Sequence, residues 1–409
     1  MTTTTDTTRV LDTPFVLPSG AEVKNRIVKA AMSEQLASLT GAPTPELERL
    51  YARWAAGGAG MLITGNVMID QRSLGEPRNV VVEDERDMDA LRRWAASAKT
   101  NDTTAIVQIN HPGRQSFVGL SSRVVAPSAI AIDYPGAAKP RALTGDEIGD
   151  LIARFAETAR IVVEAGFDGV QLHGAHGYLI SQFLSPAANQ RDNEWGGDAE
   201  RRRRFLLEVT RAMRAAIGPD RILAIKLNSS DFQRGGFTEG ESLDVIAHLD
   251  AENIDLLEIS GGTYEAPAMT GTIAESTRRR EAYFLEFAEA VRQITTVPLM
   301  VTGGFRTKAG MTDAITTGAT DLVGLARPLA LEPELPATLV RGLAFTRSAF
   351  ELKTIGVKKL DGIADLYWTQ HQLHRIGMGK NPDPTYGALR ALLSAMHSNG
   401  VNTFRRRRA

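Results

Sequence analysis

The sequence predicts a single (β/α)8 barrel with a long loop after the third strand and a helical C-terminal extension. Two observations carry this reading. Seven short apolar runs follow residue 60, at 61–64, 105–109, 169–172, 222–227, 256–259, 298–302 and 322–325, and an eighth candidate stands at 26–30. Most are apolar on both faces, as parallel strands covered by helices must be. Segments of helical periodicity lie between them, so strand and helix alternate over roughly 300 residues, the span of one barrel. A doubly wound open sheet is the structural alternative. That fold usually announces itself with GxGxxG after the first strand, and the motif is absent there.

The helical elements can be justified in order. At 45–56, Leu47, Leu50, Tyr51 and Trp54 follow the i, i+3, i+4, i+7 spacing of one helix face. Ile148, Leu151, Ile152, Phe155 and Ala159 repeat it. Thr144 and Glu147 form a capping box before that run, and Gly166 fits its stop. Thr238 and Glu241 form a second box, Gly218 a second stop, and helices around 284–294 and 311–317 complete the alternation. Residues 116–143 are long for a strand-to-helix connection and rich in Pro and Gly, which suggests a lid or an insertion. The barrel is expected over 11–340, after a disordered stretch at 1–10. Residues 341–400 read as helical with a break at 381–384, and 401–409 as a solvated basic tail.

Composition narrows the function classes. The 409 residues carry 47 Lys and Arg against 48 Asp and Glu, a net charge of −1, so no overall basic excess points to nucleic acid or an anionic membrane. The absence of Cys excludes disulfides, thiolate metal sites, Cys nucleophiles and Cys-ligated iron–sulfur clusters. No apolar stretch approaches the roughly 20 residues that span a bilayer. The start MTTTTDTT has neither the basic nor the apolar region of a signal peptide, so a cytoplasmic protein is expected.

In a barrel of this type function sits at the C-terminal ends of the strands. Gly303 and Gly304 follow the seventh strand and free the backbone to turn its N–H groups outward at the next helix, while Arg327 follows the eighth. Together they suit a phosphate, although a tight turn beside a surface arginine is the plainer reading. Gln108 can bind the edge of a heterocycle or bond to backbone inside the barrel. Lys226 can stabilise a ring that becomes anionic, or pair with a buried carboxylate. His173 and His176 stand on a strand-to-helix turn, where they can converge on a substrate oxygen, bind a metal with further ligands, or serve structure alone. Tyr178 is a candidate general acid, or an aromatic packed against Leu179 or Phe183.

At this point the residues resemble a known family. Lys24-Asn-Arg-Ile-Val28, Ala31-Met-Ser33, Gln108-Ile-Asn-His-Pro-Gly-Arg114, the run from Gly166 through His173-Gly-Ala-His176-Gly-Tyr178, Phe183-Leu-Ser-Pro186, Thr302-Gly-Gly-Phe305 and Gly324-Leu-Ala-Arg327 occur in one order. That order resembles the Old Yellow Enzyme-type NADH:flavin oxidoreductases, the FMN-dependent ene-reductases. The resemblance implies non-covalent FMN, with NAD(P)H as electron donor. It implies that backbone at Ala31, Met32, Ser33 and Asn66 borders the isoalloxazine, that Gln108 binds its pyrimidine edge, and that Lys226 lies near N1 and O2. Backbone at Gly303, Gly304 and Ala326, with the Arg327 side chain, would hold the phosphate. His173 and His176 would bind the substrate's oxygen and Tyr178 would deliver the proton, with no metal.

Three positions depart from the family's common patterns: Lys226 for Arg, Ser33 for Thr or Cys, and Ala326 for Gly. The expected reaction is reduction of activated C=C bonds in unsaturated carbonyl or nitro compounds. The alternatives are a desaturase or demethylase-like oxidase on the same site, or a non-catalytic flavin sensor. Expected partners are a small enone-type substrate and NAD(P)H, with neither nucleic acid nor membrane, and the reading allows a homo-oligomer.

Overall fold

The computed structural model describes residues 7–133, 136–263, 284–343, 353–356 and 358–406. Eight parallel strands form its centre: β1 (Ile27–Lys29), β2 (Met61–Ile63), β3 (Thr104–Asn110), β4 (Gly169–Gly174), β5 (Ile222–Asn228), β6 (Leu256–Ser260), β7 (Leu299–Thr302) and β8 (Leu322–Leu325). Each pairs with its neighbour, β8 pairs with β1, and the sheet closes into a barrel. All eight apolar runs of the sequence are these strands. Alternation of side chains along each strand sorts them into two cores. Val28, Ile106, Ala224, Leu256, Met300 and Leu322 fill the interior, while Ile27, Val107, Leu223 and Val323 face the helices. A short hairpin of Phe15–Val16 and Glu22–Val23 brings Leu17 and Val23 into the interior core. The bottom of the barrel is therefore an apolar plug, and polar side chains on the strands belong to the opposite mouth.

The helices begin where the sequence signals placed them. In α1 (Pro45–Ala56), Thr44 caps the N-terminus, Pro45 occupies the first turn, and Leu47, Leu50, Tyr51 and Trp54 are buried. The next helices are α2 (Met88–Ala98), α3 (Gly145–Glu164), the single turn-and-a-half α4 (Leu179–Leu184), α5 (Ala199–Ile217) and α6 (Glu239–Leu249). Both capping boxes close, Thr144 with Glu147 and Thr238 with Glu241, each Thr contributing about 1 kcal/mol of helix stability. Gly166 and Gly218 take the positive φ expected of helix stops. Further on lie α7 (Leu285–Arg292), α8 (Lys308–Thr316), α9 (Pro328–Leu331) and α10 (Leu335–Val340).

Residues 7–10, within the stretch expected to be disordered, belong to a 3-10 helix, Thr7–Asp12. The physical reason is Leu11, which is buried in the helix-facing core and accepts the Arg26 N–H through its carbonyl. The extension consists of α11 (Lys358–Gly377) and α12 (Ala388–Arg406), separated at the predicted break, and α12 runs into the stretch read as a basic tail. Helix α11 lies against α1, where Arg49 Nε donates to Gly377 O at 2.7 Å. A side chain at position 377 would meet Glu46 O at 2.9 Å, which explains the glycine. The long loop after β3 is fastened to the barrel. Arg123 pairs with Asp70 and Glu147, and Val125–Ala126 pairs with Arg141–Ala142. Among the described residues no helix is long and apolar enough to cross a membrane.

Candidate active site

A layer of polar side chains floors the mouth of the barrel, one pleat above the apolar plug. Gln108, Gln171, Lys226 and Glu258 project inward from β3, β4, β5 and β6, and all four are buried. Strand register sets their neighbours, with Gln171 across from Gln108 and Glu258 across from Lys226. Gln108 Nε2 donates to Gln171 Oε1 and Gln171 Nε2 donates to Glu258 Oε2, both at 2.7 Å. Lys226 Nζ lies 2.9 Å from Glu258 Oε1. A buried ammonium needs such a counter-charge, because desolvation costs far more than an unpaired contact returns. Lys226 thus meets the carboxylate considered as its plainer reading while also facing the mouth. Sequence reasoning missed Gln171 and Glu258. Their signal was available, because a charge inside the apolar run 256–259 and an amide inside 169–172 are costly unless they are paired.

His173 and His176 come together above this floor. His173 Nδ1 accepts the Ala175 N–H at 3.2 Å, which leaves the ring proton on Nε2 as a donor. His176 takes φ +61°, its N–H donates to Asn228 Oδ1 at 3.2 Å, and its Nε2 lies 2.8 Å from Ser260 Oγ. The two rings stand edge to face at 5.1 Å between centroids, and the Tyr178 ring stands 4.8 Å from His173. Burial holds both imidazoles well below the ordinary histidine value, and the nearby Lys226 cation adds to the effect. Both imidazoles are therefore held in the neutral form. Tyr178, 5% exposed, receives a hydrogen bond from Asn66 Nδ2 at 3.3 Å, and Asn66 Oδ1 receives one from Asn110 Nδ2 at 3.3 Å. The positive φ of Gly177 makes this turn, and a Cβ there would lie 2.3 Å from Gln115 Nε2. Among the described residues, no three His, Cys, Asp or Glu side chains are grouped to hold a metal ion.

One wall of the mouth is the loop carrying Ala31, Met32 and Ser33, locked to the loop carrying Asn66. The Glu34 carboxylate accepts the Gly65 N–H at 2.9 Å and the Tyr51 hydroxyl, and lies 3.7 Å from Lys29 Nζ. Lys29 is fully buried, donates to Ile63 O at 2.7 Å, and lies 4.4 Å from the Trp54 ring centre. Burial pulls its ammonium down to about 8. A Cβ at Gly65 would lie 2.2 Å from Met32 O, so only glycine lets the two loops close. The Ser33 hydroxyl donates to the Glu76 carboxylate, which burial pushes up to about 7.

The adjoining wall follows β7 and β8, since β8 pairs with β1. Gly303 and Gly304 take φ of +107° and +88°. The helix expected around 311–317 runs from Lys308 to Thr316, and its N-terminus is capped by Thr307. The glycine pair is therefore a turn set apart from the helix end. A Cβ at Gly324 would lie 2.0 Å from Thr302 Oγ1, so the strands approach closely here. The Ala30 N–H donates to Leu325 O at 2.9 Å and brings the 31–33 loop beside Ala326 and Arg327. Arg327 Nη1 is held by Asp365 Oδ2 of α11 at 2.9 Å, a contact that sequence spacing could not show.

These features fit FMN. Asn110 Oδ1 and Thr302 Oγ1 are buried without a hydrogen-bond partner in the protein, as expected of atoms that face a ligand. Gln108 and Lys226 match the polar edge of a flavin ring. The Gly303–Gly304 turn and the Arg327 guanidinium match a phosphate.

Comparison with known proteins agrees. Residues 11–345 match the model of the NADH:flavin oxidoreductase / NADH oxidase family, which includes the Old Yellow Enzymes. The chain belongs to this family. It is 36% identical over 355 residues to the NADH-dependent flavin oxidoreductase iliE of Hypocrea jecorina (strain QM6a), covering 80% of this chain and 88% of that one. The old yellow enzyme homologue from Zymomonas mobilis superposes with a TM-score of 0.70 at 26% identity, over 82% of this chain and 94% of that one. A 2-naphthoyl-CoA reductase superposes with a TM-score of 0.76 at 25% identity, over 82% of this chain and 53% of that one. This Old Yellow Enzyme family member is an FMN-dependent NAD(P)H oxidoreductase.

His111, just beyond β3, gives the family fold here a pH dependence. It is 1% exposed, its Nδ1 accepts the Gly113 N–H at 3.0 Å, and burial pulls it down to about 4. Between about pH 6.5 and its folded value the unfolded chain binds a proton that the folded chain does not. Stability from this group is therefore complete above about pH 6.5 and is lost as pH falls, by on the order of 3 kcal/mol in full. Urea unfolding at about pH 7 and about pH 5 should show a smaller difference in His111→Asn than in wild type. An identical difference would mean that His111 titrates alike in both states.

Proposed function

We propose that this enzyme reduces the activated C=C bond of α,β-unsaturated carbonyl or nitro compounds with electrons from NAD(P)H. The observation that carries the reading is the cluster of His173, His176 and Tyr178 above the Gln108–Lys226 floor. When bound, FMN supplies the hydride chemistry, accepting hydride from NAD(P)H and passing it to the substrate. The chain's own residues orient, polarise and protonate. Neutral His173, with its proton on Nε2, and His176 donate to the substrate's carbonyl or nitro oxygen, where negative charge grows as the β-carbon is reduced. Neutrality matters, because these hydrogen bonds stabilise the developing charge without a proton leaving the ring. Tyr178 protonates the α-carbon through its phenol, and the hydrogen bond from Asn66 fixes where that oxygen stands. Backbone at Ala31, Met32, Ser33 and Asn66 would flank the ring, Gln108 and Lys226 would meet its pyrimidine edge, and Gly303, Gly304, Ala326 and Arg327 would hold its phosphate.

The test uses FMN-loaded enzyme reduced anaerobically with NADH and then mixed with cyclohexenone or a nitroalkene. The saturated product should form in a single turnover. If the enzyme instead desaturates a saturated ketone, or reacts with neither class, ene-reduction is not its chemistry.

A further inference from the structure

On the floor of the mouth lies a charged group to which the proposed reaction assigns no role. Glu258 is fully buried, on the inward face of β6, in an otherwise apolar run. Its two carboxylate oxygens face two different neighbours, Lys226 Nζ at 2.9 Å and Gln171 Nε2 at 2.7 Å. Gln171 in turn receives the Gln108 amide at 2.7 Å. The carboxylate is therefore a link in the chain Gln108–Gln171–Glu258–Lys226, whose two ends are the side chains placed at the ring's pyrimidine edge. Nothing in the protonation or oxygen-binding chemistry above needs an anion at this place. An anion here nevertheless has an unavoidable electrostatic effect, because the floor residues are buried and charges among them are little screened.

We infer that Glu258 is a positioning residue that holds Lys226 at the ring's pyrimidine edge and cancels most of its charge, which makes the bound flavin a stronger electron donor than an unpaired lysine would. The inference rests on the placement of FMN over Gln108 and Lys226 given under the proposed function. A reduced flavin carries extra negative charge near N1 and O2, so a lone cation there favours the reduced state. A cation with its counter-ion favours it far less. The lysine matters to this arrangement. An ammonium is a point charge that a single carboxylate can hold, whereas a guanidinium would present a planar fork to the ring. Burial of the pair as a unit also keeps the floor electroneutral, the condition under which two charges can remain out of water.

Glu258→Gln keeps the shape and can still accept from Gln171, but removes the negative charge. In FMN-loaded protein its oxidised–reduced equilibrium should move toward the reduced state by roughly tenfold, about 30 mV upward for a two-electron couple in a dye-linked titration. Glu258→Asp, which keeps the charge, should stay near wild type. Lys226→Met should move the potential downward, and Lys226→Met combined with Glu258→Gln should return it toward wild type because the pair is removed as a unit. An unchanged or lowered potential in Glu258→Gln, with Lys226→Met shifted, would overturn the role of Glu258 and leave the FMN placement standing. No shift in either single variant would show that the ring edge lies elsewhere. If Glu258→Gln alone does not fold, the double variant decides the matter. A potential as low as that of Lys226→Met would show that Glu258 carried no charge effect.

Discussion

Tyr178→Phe should slow enone reduction by about 10²–10⁴-fold while leaving FMN binding and reduction by NADH near wild type. The substitution keeps the ring that stands 4.8 Å from His173 and removes only the hydroxyl that Asn66 holds at 3.3 Å. Packing is preserved, so a loss confined to the second half-reaction reports the missing proton. His173→Ala and His176→Ala should behave differently, weakening the binding of phenols and enones because they remove donors to the oxygen. Nitroalkenes need less help with protonation and should lose less than enones in Tyr178→Phe. Single-turnover traces of the two half-reactions separate these outcomes. Full-speed enone reduction in Tyr178→Phe would return this residue to a packing role.

Arg327→Ala should weaken FMN affinity by roughly tenfold or more, since a charge-assisted bond to phosphate contributes about 1.5–3 kcal/mol. The guanidinium has five donors and Asp365 engages it through one nitrogen, so most of the fork can meet a phosphate oxygen. In the variant Asp365 keeps the bond from the Lys353 N–H, so the local fold around α11 should survive. Protein saturated with FMN should then turn over near the wild-type rate. Equilibrium dialysis measures the affinity directly, and an unchanged value in folded protein would place the phosphate away from β8. Because Asp365 comes from the C-terminal extension, Asp365→Ala should also weaken FMN, though less than loss of Arg327 itself.

Much of this site could be read along the chain because it consists of local motifs. His173, His176 and Tyr178 lie on one turn, so the sequence that makes the turn also brings the three side chains together. The glycines at 303 and 304 are legible for the same reason, since a positive φ is a property of the residue itself. The cap of the following helix is Thr307, a few residues beyond the glycines. The segment 261–269 is expected from the sequence to shape the pocket mouth, and its residues 264–269 lie outside the described residues.

By itself the sequence determined the eight strands, the capped helices between them and the end of the barrel that carries chemistry. Those features follow from periodicity and backbone preference, which act over a few residues. Tertiary structure alone decided who pairs with whom across the barrel. It set Glu258 against Lys226 through the β5–β6 register, Glu34 against Gly65 and Lys29, and Asp365 against Arg327 from a helix 38 residues away. The physical reason is that a buried charge must find its partner in three dimensions. The cost of leaving it unpaired is visible in the sequence, while the partner's identity depends on closure of the barrel and docking of the extension.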